Sequence, residues 1–265
     1  MTQQQKTAAH SAAPGPRTRG SFGEILAGLK FAQKSGVGVP AYTRWVNRGL
    51  ARGVAAFFAA RGWSANAVSG VSAVFSFAAL ALLLLLPVSP LTGLLVAVLL
   101  AAGYVLDSAD GQVARVTGTG SMAGEWLDHV IDAARTPAIH LCVAAGFVGL
   151  YGAGAWQWWL PLLYCAVATC HFMSQILAEQ LLRNAAPAPQ PVPAPTAPVP
   201  SSGAARSLLM VHTDSGTLCW LFVAWGFPPL FLLLYVVMLA ANTVTAAASI
   251  ARKFRSLQGA QAVAA

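Results

Sequence analysis

The chain has 265 residues, 57% of them hydrophobic and 9% charged, and its 16 Lys and Arg against 8 Asp and Glu give a formal net charge of +8. A soluble domain runs at about 25% charged residues, so this composition all but excludes a soluble enzyme and points to a basic polytopic membrane protein. The basic residues flank apolar spans instead of filling a compact soluble domain, which argues against a nucleic-acid partner.

Taken in chain order, residues 1–20 are polar, small and basic with no apolar signal region, and are expected to form a disordered tail. From 21 to 62 Arg and Lys alternate with Trp45, Val46, Leu50, Phe57 and Phe58, and Arg44, Arg48 and Arg52 recur every four residues. That pattern predicts an interfacial amphipathic helix on the cytoplasmic leaflet. The unit 63–184 then carries four spans, 185–206 is a cytoplasmic linker, 207–251 carries two more spans and 252–265 is a cytoplasmic tail.

The spans follow from charge-free gaps. No Asp, Glu, Lys or Arg lies between Arg61 and Asp107 or between Asp214 and Arg252, and only Glu179 lies between Arg135 and Arg183. Each gap exceeds the roughly 20 residues one helix needs to cross a bilayer. Pro87 with Pro90, the Gly-rich stretch 146–154 and Gly226-Phe227-Pro228 divide the apolar regions into six spans, 66–86, 91–110, 126–150, 156–182, 214–226 and 228–250. All Lys and Arg fall on one side if both ends are cytoplasmic, as the positive-inside rule requires, and Trp156, Trp158 and Trp159 mark the outer interface. The expected fold is an all-α, six-helix membrane bundle with an N-terminal interfacial helix, in the cell membrane. The linker holds seven prolines between 187 and 200 and reads as an extended spacer. Cys142, Cys165, Cys170 and Cys219 lie in apolar stretches without C-x-x-C spacing and read as small core hydrophobes.

Five of the eight acidic residues fall between Asp107 and Asp132. Asp107, Asp110, Gly111, Ala114 and Arg115 share one helical face, and Gly124, Asp128 and Asp132 share another at steps of four. Both faces flank one cytoplasmic turn, so they can meet in one site. Four converging carboxylates would repel one another without cations, and an all-oxygen set suits Mg²⁺, Mn²⁺ or Ca²⁺ over zinc or copper. His129 lies off the stripe. Gly111, Ala114 and Gly124 remove bulk where a large ligand approaches the backbone, or serve plain helix packing. Arg115 is a fixed cation suited to phosphate. On span 4, His171, Gln175 and Glu179 form a polar stripe that either lines an acceptor pocket or joins helices. Asn242 and Thr245 share that ambiguity. His140 reads as a core histidine, Glu125 as a solvated turn residue and Asp214 as a helix end. Intramembrane carboxylates also suit a transporter, but that reading expects acids spread along a pathway through the membrane.

The run Asp107-x2-Asp110-Gly111-x2-Ala114-Arg115-x8-Gly124-x3-Asp128-x3-Asp132 resembles the complete signature of the CDP-alcohol phosphatidyltransferase family. The resemblance implies a two-metal Mg²⁺ or Mn²⁺ site held by Asp107, Asp110, Asp128 and also Asp132, with Asp132 as general base. It implies a CDP-linked donor such as CDP-diacylglycerol, bound by Gly111, Ala114, Arg115 and Gly124, an alcohol acceptor of the polyol or polyol phosphate class, and release of CMP. It further implies a homodimer and a cytidine-binding asparagine, Asn66, within Ser64-Ala65-Asn66-Ala67-Val68-Ser69, where Ala65 stands in place of the family's proline.

Overall fold

The computed structural model describes residues 20–30, 38–185 and 203–264, all of whose regular structure is helical. The proline-rich stretch lies outside the described residues. Helix α1 (Phe22–Leu29) starts at a capping box in which Ser21 and Glu24 exchange bonds, and those bonds hold the Glu24 carboxyl below its ordinary range. A π-helical turn (Thr43–Asn47) leads into α2 (Arg48–Ala60). Ala51, Ala55, Ala56 and Ala59 are buried along one side of α2, and they pack with Val105, Ala109 and Val113 of a later helix. The N-terminal segment is therefore two helices fitted against the bundle, with Trp45, Leu50, Phe57 and Trp63 left exposed. The π turn also interrupts the four-residue spacing of the arginines, and Arg44 donates to Ser207 at 3.2 Å.

Helices α3 (Ala65–Leu85), α4 (Pro90–Thr117), α5 (Met122–Tyr151), α6 (Trp159–Ala185) and α9 (Pro228–Ala264) contain the five stretches long and apolar enough to cross a membrane. Their starts are written locally: Ser64, Ser89 and Ser121 each accept a backbone N–H as N-caps, and Pro90 sits in the first turn of α4. Gly118, at φ 69°, ends α4 in the left-handed conformation that glycine adopts without strain. Apolar residues such as Leu85, Leu91, Leu163, Met173 and Val244 are exposed on the bundle's outside, as lipid contact requires.

The fifth expected span, 214–226, is not one crossing helix. It consists of α8 (Ser215–Leu221) and a 3-10 stretch (Phe222–Gly226), preceded by α7 (Ala204–Leu209) and a 3-10 turn (Val211–Thr213). Twelve continuous residues cover only about 18 Å at 1.5 Å each, short of a 30 Å hydrocarbon core. Within it the α-helix gives way to the 3-10 form at Phe222, while Asp214, at its start, is buried and caps α8 by accepting the Gly216 N–H at 3.0 Å. The stretch still runs alongside the first half of α4. Asp214 accepts from Thr43, whose hydroxyl shares a 2.6 Å bond with Tyr104 of α4, whereas Trp225 lies against Gly93, near the start of α4.

Two cores result. At the end away from the aspartates, Phe147, Trp225, Phe231 and Tyr235 are fully buried and touch ring on ring, with Trp225 and Phe231 at 4.9 Å in an edge-to-face pair. At the other end the smaller cluster of alanines and valines on α2, α3 and α4 backs the aspartate face. His140 is the core histidine its surroundings suggest, bonded to Tyr235 at 2.6 Å and stacked on Tyr164. Cys219 is buried and Cys142 and Cys165 are partly so, while Cys170 is exposed, and all four are free thiols.

Candidate metal and phosphate site

The hairpin of α4 and α5 builds the site. Gly118 turns the chain and Ser121 restarts it, so the last turns of α4 face the first turns of α5. Asp107 and Asp110 then meet Asp128, and one carboxylate oxygen from each lies within 4.8 Å of the others. Asp110 is the buried member, 6% exposed. It accepts a 2.5 Å bond from the Ser69 hydroxyl on α3 and another from the Gly111 N–H. Those two donors leave Asp110 fixed in direction. Asp128 and Asp132 are more open, with side chains 36% and 31% exposed.

The small residues lie where the larger ones need them. A Cβ on Gly124 would stand 3.0 Å from the Asn66 Oδ1, so Asn66, from the first turn of α3, rests directly against the first turn of α5. A Cβ on Gly111 would stand 3.2 Å from Arg115 Nη1, which shows the guanidinium folded back over the aspartate face. His129 is set aside from the triad, 3.9 Å from Asp128 and 3.8 Å from Glu125.

Asp132 is outside the three-carboxylate group. It is held by Arg135, one turn along α5, whose Nη2 lies 3.0 Å from Asp132 and 2.6 Å from Asp107. Arg135 escaped the sequence reading although its i,i+3 spacing from Asp132 placed both on one helical face. Ser69 could not be found that way, because nothing in the order of residues ties position 69 to position 110.

Asp107, Asp132 and Arg135 also form one wall of a cavity of about 580 Å³ enclosed with α6, α8 and α9. The polar residues of span 4 divide here. His171 and Gln175 line the cavity and bond each other at 3.1 Å, while Glu179 pairs with Arg183 at 2.6 Å. Glu125 is exposed as expected but lies in the first turn of α5 and not in the loop, and it also pairs with Arg183, at 2.7 Å. Asn242 and Thr245 line the cavity and join helices as well, Asn242 donating to Tyr164 and Thr245 bonding His212. Lys253 sits at the cavity's far end on α9, its Nζ buried without a hydrogen-bond partner among the described residues.

A sequence model of one family, CDP-alcohol phosphatidyltransferase, matches residues 63–227. The match takes in Asn66, the aspartate hairpin and Arg135, and leaves out the N-terminal helices and α9. No curated protein matches the chain.

Proposed function

Because the chain belongs to the CDP-alcohol phosphatidyltransferase family, we propose that it moves a phosphatidyl group from CDP-diacylglycerol to a polyol phosphate, releasing CMP, at the cytoplasmic face of the cell membrane. The observation that carries this reading is the junction of two spaces. Asp107 belongs both to the triad of carboxylates and to the wall of a cavity of about 580 Å³, which Asp132 also lines.

The donor set fits a hard divalent cation. Asp107, Asp110 and Asp128 offer oxygens alone, close together, with one ligand oriented by Ser69. Mg²⁺ or Mn²⁺ held there supplies charge neutralisation to the diphosphate as its anhydride bond breaks. The chain's own residues do the rest. Asn66 and Gly124 shape the place for the cytidine, and Arg115 covers the nucleotide phosphates. Asp132 accepts the acceptor's hydroxyl proton as that oxygen bonds the donor's β-phosphorus and the bond to CMP breaks. The acceptor lies in the cavity with its hydroxyl toward Asp132 and its phosphate toward Lys253, a half-buried residue whose Nζ has no hydrogen-bond partner among the described residues.

The test is CMP release from CDP-diacylglycerol by the purified protein in nanodiscs, with glycerol phosphate, inositol phosphate and their unphosphorylated forms offered in turn. Release with a phosphorylated acceptor, abolished by chelator and by Asp107→Asn, is expected. Lys253→Gln should raise KM for the phosphorylated acceptor roughly tenfold or more, the worth of a charge-assisted bond. Full activity in excess chelator, or preference for the unphosphorylated alcohol, would overturn the metal reading or the acceptor reading respectively.

A further inference from the structure

Arg135 is a charged group of the site to which the chemistry above gives no part. It is 9% exposed, and its Nη2 reaches Asp107 on α4 at 2.6 Å and Asp132 on its own helix at 3.0 Å. Its Nε is buried with no partner among the described residues. A strap serving only to join two helices would gain from satisfying that donor, since a buried unpaired polar group is destabilising. The guanidinium instead serves two carboxylates with one nitrogen, on the wall that separates the triad from the cavity.

That placement has two effects of opposite sign. The bond to Asp132 restrains a carboxylate whose side chain is 31% exposed, which favours proton transfer from an acceptor in the cavity. The bond to Asp107 engages an oxygen of the triad and sets a positive charge beside it, which opposes a divalent cation. We propose that Arg135 is a positioning residue for Asp132 and that it does so while weakening divalent-metal binding at Asp107. The inference rests on the metal and base roles assigned above.

Metal affinity and turnover should therefore move in opposite directions when Arg135 is changed. Arg135→Met in nanodiscs, titrated with Mn²⁺ alone and read by the electron paramagnetic signal of free Mn²⁺, should bind the ion about tenfold more tightly. Its single-turnover rate at saturating metal should fall roughly 10²-fold, the scale for a misplaced reacting group. Arg135→Lys guards against a methionine variant that fails to fold around two uncompensated acids. It keeps the charge but not the planar fork, so Mn²⁺ affinity should stay within about threefold of wild type while the rate still falls at least about tenfold. Met and Lys variants that both lose Mn²⁺ affinity, rate and thermal stability together would show a purely structural strap. A Lys variant at the wild-type rate would equally overturn the proposal. Asp107→Asn is the control for the underlying reading: if it leaves Mn²⁺ binding intact, the metal assignment falls first, and this proposal with it.

Discussion

The two ends of the bundle are joined by different means. Away from the aspartates, α5, α9 and the 3-10 stretch interlock through Phe147, Trp225, Phe231 and Tyr235, and glycines let the rings approach: a Cβ on Gly146 would stand 2.5 Å from the Trp225 ring. At the aspartate end the helices meet through Asp107, Arg135, Asp110 and Ser69, and a cavity of about 580 Å³ remains open. In lipid, helices gain little from hydrophobic association and must hold by close packing and hydrogen bonds. The aromatic end provides the close packing, which lets the other end keep charged groups and empty space.

The comparison breaks most visibly at the base. Asp132→Asn keeps shape and a neutral oxygen but cannot take a proton, so donor binding should survive while turnover falls by roughly 10²–10⁴. Asp128→Asn should weaken metal and donor binding together, because it removes one of the three converging ligands. Initial rates and donor affinity across a metal titration separate the two. Rescue of Asp132→Asn by excess metal would make Asp132 a ligand first.

At the aromatic end the expected effect is on stability alone. Gly146→Val drives a branched side chain into Trp225 and should cost about 1–3 kcal/mol by overpacking. The thermal midpoint in detergent should fall while metal affinity at low temperature holds. A matching loss of metal affinity would mean that the two ends are coupled. The smallest effect belongs to Glu125→Gln, which removes an exposed pair with Arg183. Less than about 1 kcal/mol is expected, with turnover within about twofold.

Much of the site was legible because its residues are close in sequence. Asp107 and Asp110, then Asp128 and Asp132, repeat at helical spacing on either side of a turn that Gly118 and Ser121 spell out. The long spans were legible for a similar reason, since charge-free gaps and the prolines and glycines that divide them are local signals. The form of the fifth apolar stretch was less legible, because an apolar run does not reveal that its helix is short and passes into a 3-10 stretch. Asp214 ends the 3-10 turn and starts α8 through bonds to Thr43, 171 positions earlier. Ser69 and Lys253 were missed on the same grounds: each gains its meaning from a helix distant in sequence.

The bond from Thr43 to Asp214 also bears on how the protein is made. Synthesis delivers α4 and α5, with all four aspartates, before Asp214 or any residue of α9 exists. The carboxylates must therefore reside in the growing bundle before the cavity's remaining walls arrive, and a chain ending after α6 would have an aspartate hairpin with no enclosed space beside it. During that interval Arg135, on the same helix as Asp132, and Arg115, at the end of α4, are counter-charges the hairpin brings with it.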